Sequence, residues 1–541
     1  MRKNLEIPQG KRTKLYRFLE VLPGAISYSA IILLFVLSLI DPVLGAIYLF
    51  ILIASTLVKA IGVAYRTVQG YEVIKRAERV DWRKRVEDLS HPHEAYERLR
   101  DDNNKSYHFE QHVENLKMMA AMGKEYPSPD KVYHVVMMAA YNEGPEIIGP
   151  SIEAVKNTTF PNDHIIFVLA YEQRGGEAIA NTVENLKKQY KGVFRDFLLV
   201  QHPDNLSGEV VGKGPNLTYA GKAVSKYVAE KHLPVENIIV TSLDSDNHMA
   251  PKYLDSVAYE FITHPNRQRL SYQPVSLFMN NIWDAPAPTR VIAVSNSFFN
   301  IISTMRPHTL RNFASHSQPL QALEAMDFWS KRTIVEDGHQ YWRSLFFFSG
   351  DYSVVPIRIP IYQDAVMDDS FWKTVKAQFI QVRRWYYGAS DVAYVGSKLF
   401  VKKDKRIMPF WQLFPKFWRL LDGHVTLAIM APLITFGAWV PMLMNFSSHT
   451  MVAYNLPNIV SVIETIASLG LLITVLVSLR MLPKRPARYR KGRNILMIVQ
   501  WILMPVTSIL YQSIAAYYAQ TRLMLGLYME KFDVTKKVVK K

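Results

Sequence analysis

The sequence predicts an α/β domain around a mostly parallel sheet, held between two sets of α-helical transmembrane segments. Three observations predict it. Apolar residues concentrate towards the two ends of the 541-residue chain, in runs long enough for a helix to cross a hydrocarbon core of about 30 Å. From Lys131 onward short apolar runs alternate with helix-like segments, the pattern of a sheet with helices packed on its faces. Acidic and small polar clusters fall directly after those runs, and open α/β sheets bind ligands beyond the carboxyl ends of their strands.

At the amino end, residues 21–40 carry no charge and residues 43–65 carry only Lys59, placed near enough to the end to reach the interface. Asp41-Pro42 between them reads as the tip of a tight hairpin. A secretory signal peptide is the competing reading, but no small-residue cleavage site separates the runs. Lys and Arg crowd both flanks, so residues 1–66 are expected to be a cytoplasmic segment and a transmembrane hairpin. Residues 67–130 are charged and expected to be helical, a juxtamembrane connector without evident chemistry.

The α/β domain is expected over 131–400, with strands at 132–139, 164–170, 196–200 and 237–243. Residues 401–423 follow as an interfacial amphipathic helix. Phe410, Trp411, Phe414, Phe417, Trp418 and Leu421 recur there at helical spacing, with Lys416 and Arg419 between them. Residues 424–519 are read as C-terminal transmembrane segments, with spans at 425–445 and 458–479. The loop between those spans lacks Lys and Arg, whereas 480–493 carries seven and is placed in the cytoplasm. The last apolar stretch, 495–518, is read as re-entrant or bent at Pro505, which returns the tail, 520–541, to the cytoplasm. Glu464, inside an apolar stretch, is either a functional carboxylate or one that reaches water near a helix end.

The chain contains no cysteine, which excludes disulfides, iron–sulfur clusters and thiolate zinc sites. Any metal would be held by oxygen or imidazole. The net charge of +17 fits anionic membrane lipids and nucleotide phosphates rather than nucleic acid, because Lys and Arg flank the apolar segments and no nucleic-acid-binding motif is present.

Four clusters carry the chemistry. Asp244-Ser245-Asp246 follows a buried strand, where two carboxylates suit a hard divalent cation, Mg²⁺ or Mn²⁺, bridging a diphosphate. An acidic loop or helix cap is the plain alternative. Tyr141-Asn142-Glu143 ends the first strand, at a turn able to grip a base or ribose, or simply capped by Asn142. Glu336-Asp337 offers a carboxylate to accept a proton from an attacking hydroxyl, or a helix cap. Gln381, Arg384 and Trp385 lie in a basic aromatic helix, where an indole suits a sugar ring and a guanidinium a phosphate; a helix facing lipid headgroups is the alternative. His339, alone among aromatics, reads first as a packed residue.

In this order the clusters resemble the membrane-bound family 2 glycosyltransferases, the group that includes cellulose and hyaluronan synthases. The resemblance runs from about Lys131 to Gly396 and implies a GT-A fold. It implies that Asp244 and Asp246 are the Asp-x-Asp pair, Asp246 being the main metal contact, and that Asp337, beside Glu336, is the catalytic base. It further implies that Gln381, Arg384 and Trp385 form the acceptor-end motif, and that Lys213 and Gly214 contact the nucleotide, with Tyr141, Asn142, Glu143 and Asp244 on the donor side. Phe532, Val534, Thr535 and Lys537 are similar to the gating loop of cellulose synthases. The family usually carries an Asp after its second strand to hold uracil; here Glu172 is the nearest substitute, so a UDP-sugar is the expected donor with its base left open. The function implied is inverting transfer from a nucleotide sugar to a growing polysaccharide, by a multi-pass plasma-membrane protein with a cytoplasmic catalytic domain. Single transfer to a lipid carrier or glycolipid, or a non-catalytic transport or assembly scaffold, are the alternatives.

Overall fold

The computed structural model describes residues 5–445 and 451–533. Its centre is one eight-stranded sheet in the order β3-β2-β1-β4-β7-β6-β8-β5. The strands are β1 Tyr133–Ala140, β2 Ile165–Glu172, β3 Asp196–His202, β4 Ile238–Asp244, β5 His248–Met249, β6 Leu270–Leu277, β7 His316–Pro319 and β8 Ser353–Tyr362. The four strands read from the sequence are β1 to β4, and they pair in parallel. β1, β2 and β4 are buried on both faces, which is why they read as near-continuous apolar runs, whereas β3, at the sheet edge, buries only Phe197 and Val200. Val136, Met138, Phe167 and Leu169 face one layer of helices, and Val135, Met137, Ile166 and Val168 face the other.

The expectation of a mostly parallel sheet is corrected to a mixed one. β7 runs antiparallel to both β4 and β6, and β5 runs antiparallel to β8, while β6 and β8 are parallel. The reason it escaped the sequence is chemical. β7 reads His-Ser-Gln-Pro, all buried, and is held by polar contacts such as Thr241 Oγ1 to Ser317 Oγ at 2.7 Å, so it has no apolar signature. β6 carries Pro274 in its interior, where the register with β8 shifts.

Among the described residues, four helices are long and apolar enough to cross a membrane: Lys14–Ile40, Pro42–Arg79, Phe410–Met444 and Arg493–Leu525. The first two meet at Asp41, whose carboxylate accepts the Val43 amide at 2.7 Å, with Pro42 opening the second helix. That helix continues to Arg79 because nothing between 66 and 79 breaks it, so the expected connector begins as its extension. Likewise the expected interfacial helix is not separate from the span after it: one helix covers Phe410–Phe436. On it Leu413, Phe417 and Leu420 are buried and Trp411 and Trp418 exposed. The Met451–Met481 helix follows, of whose residues Leu472–Met481 form a shorter apolar stretch; the Glu464 side chain lies outside what is described.

The last apolar segment passes through 3-10 and π turns on either side of Pro505. Both its ends rest on the α/β domain. Arg493 donates to the Trp283 carbonyl at 2.8 Å, and beyond Leu525 the Phe532 amide donates to the Val211 carbonyl at 2.8 Å. The amino-terminal segment docks on the same domain: Glu6 takes Ser330 Oγ at 2.7 Å and Arg343 at 3.0 Å, and Tyr394 donates to the Leu5 carbonyl.

Candidate active site

The site lies at the carboxyl ends of β1, β2 and β4, and its first wall is set by the helix Lys213–Glu230. Asn216, fully buried, ties that helix to β2 by donating to the Ala170 carbonyl at 3.0 Å. Gly214 must lack a side chain: a Cβ there would sit 2.4 Å from the Ser330 carbonyl oxygen and 3.0 Å from Glu336 Cβ. This close approach brings Lys213 to the end of β4, where its ammonium donates to Asp244 Oδ1 at 2.5 Å. Burial alone would lower the lysine, but Asp244, then Glu336, and also Asp337, raise it above its ordinary value. The Asp-x-Asp turn is fixed through its backbone, with the Ser245 carbonyl accepting Ser151 Oγ at 2.7 Å and the Asp246 carbonyl accepting Asn280 Nδ2 at 3.0 Å.

The opposite wall is the first turn of the helix Glu336–Phe347. Asp337 accepts the Ala314 amide at 2.6 Å on one oxygen and the Gly338 amide at 2.7 Å on the other. Ala314 presents its amide from the left-handed region, φ +42°, a conformation costly for alanine and held by the surrounding structure. Glu336 is 4% exposed. Burial, then the neighbouring Asp337, push its carboxyl up to about 7 against the pull of Lys213 and Arg384. His316, two residues beyond Ala314, is brought down to about 4 by burial and stands neutral beside Asp337 and Lys213. His339 is packed as expected: buried, edge-on to Tyr394, with Nδ1 2.6 Å from Asp391.

Arg384 comes from the helix Phe371–Tyr386 and feels the charges of Glu336, Asp337, Asp244 and Asp533, which oppose the lowering that burial imposes. Its guanidinium lies over the Phe532 ring, 3.8 Å from the centroid. Phe532 in turn fills the space beside Gly212, whose missing Cβ would be 3.1 Å from Phe532 Cβ. Val211 pairs with the tail at Lys531, and Arg383 binds Asp533 at 2.6 Å. Val534, Thr535 and Lys537 lie outside the described residues. Trp385 packs against Phe278 at 6.1 Å between ring centroids, and Gln381 accepts Gln378 Nε2 at 3.2 Å.

On the flank, Glu172 at the end of β2 accepts both Nε and Nη2 of Arg174, the latter at 2.9 Å. That guanidinium covers the Tyr141 ring at 3.8 Å. A cavity of about 230 Å³ opens here, lined by Glu172, Arg174, His202, Glu209, Val211 and Gly212. Glu143 folds back to accept the Tyr141 amide at 2.7 Å and the Asn142 amide at 3.2 Å. The structure therefore brings Lys213, Gly214, Asp244, Glu336, Asp337, Arg384 and Phe532 together, and sets Tyr141 and Glu172 beside them. Sequence reading missed Arg174, Ala314, His316 and the Arg383–Asp533 pair; Arg383 and Asp533 lie inside motifs already singled out.

For a divalent cation, the chemistry of the donor set is compatible. Asp244 and Asp246 are hard oxygen donors at one turn, and among the described residues no group of three metal-binding side chains exists. A cation held here would take its remaining ligands from a diphosphate and water, the habit of magnesium.

The class defined by fold and site is a mixed α/β domain with a cluster of acidic and basic groups beyond its strand ends, joined to long apolar helices. No family model and no curated protein matches the chain. Among solved structures it is similar to a mannosyltransferase from Pyrobaculum calidifontis in complex with GDP-Man and Mn²⁺, at 13% identity and TM-score 0.38, covering 72% of this chain and 93% of that one. It is also similar to TarS of S. aureus, at 11% identity and TM-score 0.28 over 60% of this chain and 55% of that one. For residues 1–349 of TarS in complex with UDP the values are 10%, 0.30, 73% and 93%.

Proposed function

We propose that the chain is a membrane-integrated, inverting glycosyltransferase that moves a sugar from a nucleotide diphosphate to a growing polysaccharide at the cytoplasmic face. One observation carries the reading: Lys213 bonds Asp244, and Lys213 and Arg384 both lie in the fields of Asp244, Glu336 and Asp337. Two cations and a carboxylate turn thus face a second carboxylate pair across one cleft.

In this reading Lys213 and Arg384 hold the diphosphate, and Asp337 accepts the proton of an acceptor hydroxyl as that oxygen attacks the anomeric carbon opposite the leaving group. The amides of Ala314 and Gly338 orient the Asp337 carboxylate for that transfer. A divalent cation on Asp244 and Asp246 would offset charge on the leaving diphosphate. Tyr141, Arg174 and Glu172 border the nucleobase, and Phe532 covers the nucleotide edge, with Gln381 and Trp385 towards the acceptor. The docking of the tail on the α/β domain supports a cytoplasmic tail and a re-entrant last segment.

The test is nucleotide release by the purified protein in nanodiscs, across a donor panel with Mg²⁺ or Mn²⁺. Release from one donor, abolished by a chelator, with product lengthening over time, is expected. Products one sugar longer than the acceptor would replace polymerisation by single transfer. Silence across the panel with both oligosaccharide and lipid-linked acceptors present would overturn the reading.

A further inference from the structure

A second cavity, of about 610 Å³, lies away from the carboxylate cluster, where the last apolar segment leaves the α/β domain. Its size is that of a small-molecule site. One wall is apolar: Leu496, Val499, Ile502 and Leu503 from the membrane segment, facing Met367 and Phe371 from the domain. Ile502 is 76% exposed and Leu496 48% exposed, so the wall continues onto the outer, apolar surface of that segment.

The inner end is cationic. Arg290, 2% exposed, spends Nε on Gln500 Oε1 at 2.5 Å and Nη1 on the Ala285 carbonyl at 2.9 Å. Among the described residues its Nη2 has no hydrogen-bond partner. Arg493 places Nη2 on the Trp283 carbonyl at 2.8 Å, and its buried Nε is without a partner among the described residues. The two guanidiniums repel: burial and then Arg493 bring Arg290 to about 10, which leaves it cationic at neutral pH. The carboxylates lining the cavity are engaged already. Asp284 binds Arg488 at 2.8 Å and Tyr489 at 2.5 Å, Asp368 accepts the Asp369 amide at 2.7 Å, and Asp369 pairs with Lys373 at 3.9 Å.

Two like charges held together under an apolar wall call for an anion with an apolar tail. We propose that this cavity binds the phosphate headgroup and first chain segment of a membrane lipid, with Arg290 and Arg493 on the phosphate oxygens and the chain along Leu496, Val499 and Leu503. The site is distinct from the catalytic cleft and does not rest on the transferase reading.

The full chain, stripped of lipid in an uncharged detergent, is titrated with dioleoyl phosphatidate, dioleoylglycerol, inorganic phosphate and farnesyl phosphate. Thermal unfolding and native mass spectrometry follow binding. The phosphate lipids are expected to bind saturably, the phosphate-free lipid and inorganic phosphate far more weakly. Arg493→Gln is expected to weaken phosphatidate about tenfold, the effect of losing one charge-assisted contact. Tighter binding of farnesyl phosphate identifies an isoprenoid carrier; tighter binding of phosphatidate identifies a structural phospholipid. Should Arg290→Gln fail to fold, Arg493→Gln and Leu503→Asp, both on partly exposed positions, still decide. Equal binding of dioleoylglycerol and phosphatidate, inorganic phosphate binding as well as either lipid, or affinity unchanged by Arg493→Gln and Leu503→Asp overturns the proposal.

Discussion

The two walls of the cleft are made differently. The Lys213–Asp244 wall stands on the ends of parallel strands and on a helix that Asn216 and Gly214 lock against them. The Asp337–Arg384 wall is assembled from four segments far apart in the chain, with Ala314, Asp337, Arg384 and Phe532 each on a different one. The first wall is rigid because strand packing makes it so. The second exists only while distant segments stay docked, which places any opening and closing on that side.

The sharpest way to break this contrast is Lys213→Met. It removes a cation that the proposed reading sets on the diphosphate, and donor affinity should fall about a hundredfold, read by titration with the cognate nucleotide. Gly214→Ala should destabilise the fold by roughly 2 kcal/mol, since the new methyl meets the Ser330 carbonyl at 2.4 Å. A shift in the thermal midpoint checks it. Phe532→Ala should be milder. Losing its contact with Arg384 is worth about 1 kcal/mol, and we expect a several-fold loss of donor affinity, well short of that in Lys213→Met. An equal loss in donor affinity would mean the tail belongs to the rigid wall.

The smallest effect concerns Glu336, with its carboxyl at about 7 in the folded chain against an ordinary 4.5. Between those values the folded state holds a proton that the unfolded state has released, so stability falls as pH rises through this window. Glu336→Gln should flatten that part of the melting-temperature profile. An unchanged slope would place the titration elsewhere, for instance on Glu260, whose carboxyl burial also pushes up to about 7.

The same contrast explains what was legible in the sequence. β1, β2 and β4 are buried on both faces and announce themselves as apolar runs, so the strand ends carrying Tyr141, Glu172 and Asp244 are legible in the sequence. β7 is short, polar and stabilised by side-chain hydrogen bonds, and no periodicity betrays it. Ala314 and His316 go with it, because their roles arise from a tertiary contact with Asp337. Arg174 escaped for a related reason: its importance lies in stacking on Tyr141 while binding Glu172, and neither is visible as a local pattern. The long apolar helices differ in extent from the expected runs, because charged helical residues continue the Pro42–Arg79 helix past the apolar run.

The most direct measurement pairs donor binding with nucleotide release in wild type and Asp337→Asn. The account predicts that the variant binds the nucleotide sugar as tightly as wild type yet releases nucleotide at least about a hundredfold more slowly, the minimum for loss of a general base. Equal release by the two proteins would contradict it.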